Sequence, residues 1–447
     1  MELKRKIYRE LLKWKNESRG KTALLLEGAR RVGKTYICRQ FGNREYKSAI
    51  LIDFSIAAKE IKDLIENQGE NLDFFFSRLS VYYNTPLYAR DSLIVFDEVQ
   101  LFPLARQRLK ALVADGRYDY IETGSLLSIK QNIKDILIPS EEDRLEMHPL
   151  DFEEFLWAMS DEVMASFIRD CFNKTVPVGI AVHRRAMDAY RQFLLIGGMP
   201  QSVLAYLDRR DFEMADKEKK RILALYRNDI AKYATGYEKK VVDIFYAIPG
   251  QLTKAEKKFK LSSIGKTARQ REYGDAFMWL VDAMVVNHCY NSTDPNVGLA
   301  LSSDRATQKL YMADTGLLVT HTFQDNEYLD NELYRAILFD KLHINEGMIM
   351  ENAVAQALRA SGHRLFFYSR VDPGNRKNNI EIDFLIIRKN KVSPIEVKSA
   401  SYRYHSSLDK FSAKFSRTVG ESYIVYTKDV MVREGITHIP VYMAMFL

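Results

Sequence analysis

The spacing of hydrophobic and polar residues divides the chain into three regions. Through about residue 130, short β-rich runs alternate with helical patterns, which is typical of a parallel sheet flanked by helices. From about residue 150 to residue 290 the strand signals disappear, and apolar residues recur with helical periodicity. Beyond residue 345 a helix is followed by further strands. We therefore predict an α/β fold with an N-terminal parallel sheet, a helical middle and a C-terminal α/β unit.

Apolar runs at both ends of the chain predict individual strands. In the first region these are TALLLEG at 22–28, SAILIDF at 48–54, SLIVFDE at 92–98 and YDYIETG at 118–124. Helical stretches such as KTYICRQF and LARQRLKALVAD lie between them. In the last region the predicted helix is GMIMENAVAQALRASG, and the strands after it are RLFFYSR, NIEIDFLIIR, SPIEVKSA and SYIVYT.

Length and composition are those of a folded protein with several domains. The 447 residues correspond to about three domains of ordinary size. Hydrophobic residues make up 47% and charged residues 28%, which excludes a disordered chain. The net charge of +7 permits an anionic partner without requiring one.

The sequence shows no pattern typical of a membrane span, a signal peptide, a zinc site or a disulfide framework. No run approaches 18 apolar residues, and the first residues lack a signal peptide, so we predict a cytoplasmic protein without a membrane partner. The three cysteines are far apart and form no CxxC pair, which argues against a zinc site or a disulfide framework.

The segment after the first predicted strand matches a phosphate-binding loop, G-x-x-x-x-G-K-[ST], at every position. In such a loop backbone N–H groups surround phosphate oxygens, the lysine reaches the β and γ phosphates, and the hydroxyl binds Mg²⁺. A strand precedes the segment and a helix follows it, as this mechanism requires. We therefore predict ATP and Mg²⁺ as cofactors, bound by Gly28, Ala29, Arg30, Arg31, Val32, Gly33, Lys34 and Thr35.

An acidic pair follows the third predicted strand. Asp97 is placed to hold Mg²⁺, and Glu98 to polarise the water that attacks the γ phosphate. We predict Glu98 and Lys34 as catalytic residues. An acidic strand end that caps a helix is the alternative.

Two further residues are candidates for nucleotide contacts. Ser125 follows the fourth predicted strand and is placed to sense the γ phosphate, or simply to cap a helix. Arg144 is placed to contact nucleotide as a sensor or finger, or to pair with Glu141 or Glu146 on the surface.

A basic segment lies in the middle region. A helix, a short turn and a second helix precede the strand-like VVNHCYN, an order typical of a winged-helix module. The charge suits double-stranded DNA, although such runs are usually solvated faces and the apolar stretch from Phe277 to Val281 indicates a core helix. The basic residues are Lys254, Lys257, Lys258, Lys260, Lys266, Arg269 and Arg271.

Carboxylates of the last region form a second candidate site. Glu396 and Lys398 share one strand face by period-two alternation, and Asp383 on the adjacent strand is expected to join them. With Glu351 on the preceding helix, the three carboxylates would hold Mg²⁺ and Lys398 would act in catalysis. This set resembles the PD-(D/E)xK nuclease fold, except that Ile382 stands where a proline is usual. The alternative is a structural cluster in which these charges satisfy one another.

Segments spread over nearly the whole chain resemble the AAA-type ATPases of bacteria and archaea whose C-terminal half is a domain of unknown function, number 4143. They are GARRVGKT, LIVFDEVQ, ETGS, HPLDFEEFL, LLIGGMP, YRNDIAKY, KLYMADTGLL and IEVKS. The resemblance implies an AAA+ ATPase core and a winged-helix module in the middle region. One departure is Asp143-Arg144, where the family usually has Gly-Arg.

These observations predict an ATP-hydrolysing enzyme coupled to DNA binding or processing. The alternative is a nucleotide-switched interaction protein whose nuclease-like domain is inactive. The sequence leaves the oligomeric state open, and a homo-oligomer is one option. The predicted domains are an AAA+ core at 1–150, a helical lid or linker at 151–235, a winged-helix-like segment at 236–325 and a restriction-endonuclease-like domain at 326–447.

Overall fold

The computed structural model describes residues 2–67, 71–124, 141–254, 257–266, 268–323, 346–399 and 404–447. The chain forms two compact units. The N-terminal unit contains residues 4–148 and 282–284, and the C-terminal unit contains residues 1–3, 149–281 and 285–447.

The N-terminal unit is built around a parallel five-stranded sheet with the strand order β2-β3-β4-β1-β5. The four strands predicted in this region are confirmed, and β5 was not predicted. Its sequence, EDRLEM, is polar because it is an edge strand with a largely exposed surface, so it has no apolar alternation. The elements are α1 Ile7–Ser18, β1 Ala23–Gly28, α2 Lys34–Glu45, β2 Ser48–Asp53, α3 Lys59–Asn67, α4 Leu72–Tyr82, β3 Ser92–Asp97, α5 Leu104–Asp115, β4 Asp119–Gly124 and β5 Glu142–Met147.

Helices cover both faces of this sheet. Leu25 of β1 belongs to a buried cluster with residues of α3, α4 and α5. Leu24 and Leu26 point the opposite way and pack with α1 and α2. A strand that is buried on both faces has a continuous apolar sequence. The central strands of this sheet could therefore be predicted from the sequence. Parallel strands bring all their carboxyl ends to one edge, and this is where the loop after β1 and the acidic pair after β3 meet.

The C-terminal unit begins with a run of helices. No helix in the described part of the chain is long and apolar enough to cross a membrane. The helices are α6 Phe152–Ala158, α7 Glu162–Lys174, α8 Ile180–Ile196, α9 Pro200–Arg209, α10 Phe212–Tyr233, α11 Glu238–Leu252, α12 Gln270–Asp282, α13 Thr315–Thr322, α14 Glu346–Ala360 and α15 Ser406–Lys414.

An eight-stranded sheet completes this unit, with the order β12-β13-β11-β10-β9-β8-β6-β7. Helices α11 and α12 followed by the antiparallel pair β6–β7 have the order of a winged helix, but this pair also forms one edge of the large sheet. The sheet is therefore continuous across the predicted boundary at 325, and both the winged-helix assignment and the inner boundaries stay predictions. The strands are β6 Val286–Ser292, β7 Ser303–Met312, β8 Leu365–Arg370, β9 Ile380–Arg388, β10 Lys391–Lys398, β11 Ser422–Tyr426, β12 Met431–Arg433 and β13 Ile436–Pro440.

Candidate functional sites

The predicted phosphate loop connects β1 to α2 in a tight curl. Arg31 and Gly33 have left-handed backbones, with φ of 71° and 103°. The loop also packs closely, since a Cβ on Gly28 would lie 2.6 Å from the carbonyl oxygen of Met147. Successive peptide units in such a curl turn their N–H groups toward one centre and create an anion-binding concavity.

Lys34 is the cation of this loop. Its side chain is buried, with 8% exposed, and its Nζ donates to the carbonyl oxygens of Gly28 (2.8 Å) and Ala29 (3.2 Å). Burial lowers the pKa of Lys34, whereas Glu98 and Asp97 raise it by their charges. A buried ammonium held by two carbonyls is suited to exchange these partners for the oxygens of a bound anion.

Asp97 lies beside the loop and accepts two hydroxyl hydrogen bonds at one oxygen. The Thr35 hydroxyl donates to Oδ1 at 3.1 Å, and the Thr123 hydroxyl donates to the same atom. Burial raises the pKa of Asp97, and the two threonine hydroxyls lower it in part. The predicted γ-phosphate sensor Ser125 lies outside the described residues. Thr123, in the same ETGS segment, contacts Asp97 because β4 is the neighbour of β3.

Glu98 adopts a left-handed backbone with φ of 54°. This conformation costs a non-glycine residue about 1 kcal/mol or more, and such strain is concentrated at functional sites. Its carboxylate accepts a hydrogen bond from the Gln100 amide. A third carboxylate, Asp53, stands opposite Asp97 in the β2–β3 register and adds to the pKa elevation of Asp97. No motif in the sequence identified Asp53, although it ends a strand next to β3.

The residues at this edge fit ATP and Mg²⁺. The Thr35 hydroxyl and the Asp97 carboxylate are the hard oxygen ligands that Mg²⁺ prefers, and they already lie in contact. Lys34 and the curled backbone supply positive potential for phosphate oxygens. Loop, ammonium, hydroxyl and carboxylates thus come together as the sequence predicted.

Arg144 lies on the edge strand β5 with 49% of its side chain exposed. Its Nε donates to Glu142 at 3.1 Å, and its guanidinium is 3.8 Å from Glu27. It therefore pairs with two carboxylates that are themselves buried, Glu142 and Glu27, and not with the expected Glu141 or Glu146. Its predicted contact with nucleotide stays a prediction.

We expect Thr123→Val to move the acid limb of the ATP hydrolysis profile to higher pH. The Thr123 hydroxyl lowers the pKa of Asp97, so its loss raises that pKa further and protonates the carboxylate at a higher pH. Rates measured from about pH 5 to about pH 9 test this shift. Thr123→Ser keeps the hydroxyl and should retain the wild-type profile. Identical pH profiles of wild type and Thr123→Val would contradict this effect of the Thr123 hydroxyl on the pKa of Asp97.

The C-terminal carboxylates surround a buried lysine that the sequence did not indicate. Lys309 of β7 is 1% exposed, and its Nζ lies 3.3 Å from Glu351, 3.3 Å from Glu381 and 3.7 Å from Asp383. Lys257 also pairs with Glu351. We call these five residues the Lys309 cluster. Burial raises the pKa of Asp383, with help from Glu351, to about 6, whereas the two lysines outweigh burial at Glu351 and lower its pKa.

Glu396 and Lys398 lie on the face of the sheet that is covered by α15. They pair with each other at 3.0 Å, and they align with Ile424 and Tyr426 of β11. Those two residues pack against α15, and aligned residues of parallel strands share a face. Burial raises the pKa of Glu396, and Lys398 is the main charge that lowers it.

The charged groups thus pair separately: Asp383 lies near Lys309 and accepts a hydrogen bond from the backbone N–H of Val397 (2.9 Å), whereas Glu396 pairs with Lys398. A metal site shared by Asp383, Glu396 and Lys398 stays a prediction. The pairing of β8 with β9 shifts between Phe366 and Tyr368, which oppose Leu385 and Ile382 and so leave one extra residue in β9. Both Ile382 and Leu385 face α15, and the bulge between them turns Asp383 to the α14 side. Within the described residues, no three His, Cys, Asp or Glu side chains form a group able to hold a metal ion.

The predicted basic segment is only partly available to a partner. Lys257 is engaged by Glu351 and by the carbonyl oxygen of Gly347 at 3.2 Å, and Lys258 is half-buried. The apolar side of α12 is core, as the alternative assumed. Five basic residues remain exposed, namely Lys254, Lys260, Lys266, Arg269 and Arg271.

Family models match three separate segments of the chain. Residues 20–156 match the family described as an AAA domain. Residues 187–328 match a domain of unknown function, DUF8612, and residues 346–444 match another, DUF4143. No curated protein sequence matches the chain significantly.

Several solved structures match the chain at low sequence identity and low TM-score. A Walker-type ATPase of Pyrococcus abyssi is 17% identical over 72% of this chain and 96% of that chain, with a TM-score of 0.41. The Aeropyrum pernix ORC1 protein in complex with DNA is 12% identical over 73% and 94%, with a TM-score of 0.28. Drosophila ORC bound to DNA is 14% identical over 67% and 90%, with a TM-score of 0.29. The N-terminal segment therefore matches an AAA domain model over the residues that contain the phosphate-loop sequence, and two segments that match families of unknown function follow it.

Proposed function

We propose that this protein is an ATPase whose N-terminal unit binds ATP with Mg²⁺ and hydrolyses it. The observation that carries the proposal is the contact of Thr35 with Asp97 beside the buried Lys34. Thr35 and Asp97 would hold the metal, which supplies positive charge for the phosphate oxygens. Lys34 adds to that charge, and Glu98 accepts a proton from the attacking water. Phosphate release by the full chain, with MgATP and with excess chelator, tests the activity.

We further propose that the exposed part of the basic segment binds duplex DNA without strong sequence preference. Five exposed cations on one short stretch support this assignment. If all five contact phosphates, affinity should fall several-hundredfold between about 50 and about 200 mM salt. The triple variant Lys266→Ala, Arg269→Ala, Arg271→Ala should weaken binding and reduce the salt slope by about 3.

Fluorescence anisotropy with a labelled duplex measures both quantities. Lys389→Ala, which removes an exposed lysine from another part of the same unit, serves as the control. Absence of binding at low salt, or an unchanged slope in the triple variant, would reject the DNA-binding surface.

For the C-terminal sheet we favour an interaction or regulatory role over DNA cleavage. The Lys309 cluster supports this choice, because an ammonium already occupies the space between Glu351 and Asp383 while Glu396 and Lys398 face another helix. Plasmid incubated with the full chain and Mg²⁺ or Mn²⁺, with and without ATP, should stay intact. Nicking that disappears in Asp383→Ala and in Lys398→Ala would instead establish the nuclease predicted from the sequence.

A further inference from the structure

A buried arginine near the N-terminus is attached to the phosphate loop. Arg5, which precedes α1, is 9% exposed. Its Nη1 donates to the carbonyl oxygen of Val32 at 3.1 Å, and its Nη2 donates to the carbonyl oxygen of His148 at 2.5 Å. One guanidinium therefore links the loop to the chain that leaves β5.

The bond to Val32 fixes the orientation of a peptide unit inside the loop. In a planar trans peptide the C=O and N–H groups point in opposite directions. Holding the Val32 carbonyl toward Arg5 therefore directs the Gly33 N–H away from Arg5. Backbone N–H groups at this position of a phosphate loop are donors to phosphate oxygens.

Without this anchor the Val32–Gly33 peptide has freedom to rotate. Glycine populates both signs of φ almost equally, so Gly33 at φ of 103° presents little barrier to a flipped peptide. The side chain of Val32 is fixed independently, because it packs with Leu11 and Trp14 of α1. The orientation of the peptide thus depends on the hydrogen bond to its carbonyl.

We propose that Arg5 is a positioning residue for nucleotide binding. It orients the Gly33 N–H toward the interior of the loop and ties the loop to His148 at the end of β5. This inference rests on the proposed ATPase function. A charge-assisted hydrogen bond of this kind is among the stronger ones in proteins, so its loss should be measurable.

The test compares Arg5→Met and Arg5→Lys in the full chain. Methionine keeps the bulk but removes all donors, and we expect MgATP affinity, measured with a fluorescent ATP analogue, to fall about tenfold. Lysine keeps the charge with one donor group and should show a smaller loss. In the nucleotide-free protein, hydrogen exchange of peptides covering residues 29–35 should be faster in Arg5→Met. Arg9→Met, at an exposed position of α1, is the matched control and should match wild type in both measurements.

A second readout separates positioning from a general structural role. KM for MgATP should rise in Arg5→Met by a larger factor than kcat falls, since the contact acts on binding. Unchanged affinity and unchanged exchange in a folded Arg5→Met would overturn the inference. If Arg5→Met fails to fold, the inference would be overturned by an Arg5→Lys variant whose MgATP affinity and hydrogen exchange equal those of wild type. Wild-type protein that binds no nucleotide would reject the ATPase proposal, while the exchange measurement would still decide whether Arg5 orders the loop.

Discussion

Glu98→Gln is expected to slow ATP hydrolysis by about 100-fold or more while MgATP binds with nearly wild-type affinity. Glutamine keeps the size and the polar contact of Glu98 but cannot accept the proton of the attacking water. The effect therefore falls on kcat, because the lost interaction develops only in the transition state. Single-turnover hydrolysis together with equilibrium binding of a fluorescent ATP analogue measures the two quantities separately.

Lys34→Ala is the complementary variant and should lose affinity as well as turnover. In the proposed site Lys34 would contribute a ground-state contact to the phosphates, since its ammonium is already held over the loop by the carbonyl oxygens of Gly28 and Ala29. Equal nucleotide affinity in wild type and Lys34→Ala would refute the assignment of the loop. A wild-type hydrolysis rate in Glu98→Gln would show that Glu98 is not the general base.

Lys309→Met is expected to destabilise the protein by about 3–5 kcal/mol at neutral pH. The substitution leaves Glu351, Glu381 and Asp383 around a site that has lost its central cation. Lys389→Met is the control, because its pair with Glu421 is on the surface, with 78% of the lysine side chain exposed, and should contribute little. Urea denaturation of the full chain measures both changes through the transition of the C-terminal unit.

The loss in Lys309→Met should shrink as the pH falls. Asp383 has a pKa raised from 3.8 to about 6 in the folded protein, and Lys309 opposes that rise, so the variant raises it further. A carboxyl with a raised native pKa binds more protons folded than unfolded, so acidification through about pH 6 stabilises the folded state relative to neutral pH. The loss of stability in Lys309→Met, measured by urea denaturation, should therefore be smaller at about pH 5 than at about pH 8. An equal loss at both values would contradict the role of Lys309 as counterion of these carboxylates.

The sequence was most informative where signals are local. The loop from Gly28 to Thr35 is contiguous, and the strands around it are buried on both faces and read as apolar runs. The acidic pair after β3 is likewise recognised from its position at a strand end. The polar edge strand β5 was missed for the converse reason, since little of it is buried.

Contacts between residues distant in sequence could not be predicted from the sequence. Thr123 meets Asp97, and Arg5 meets Val32, only because the sheet and α1 bring distant segments together. Nothing in the local pattern around Lys309 distinguishes it from a solvated lysine, which is the usual state of this residue.

The sequence by itself determined the α/β architecture of the N-terminal unit and the residues of its proposed nucleotide site, because these depend on strand periodicity and on a contiguous motif. The tertiary structure alone decided which side chains share a site in the C-terminal sheet. Period-two alternation assumes an unbroken ladder, and one extra residue in β9 is enough to turn Asp383 away from Glu396. The space beside Asp383 is taken by Lys309 of β7. This strand lies beside the later strands only because its neighbour β6 pairs with β8, which is distant in sequence and which no local pattern links to it.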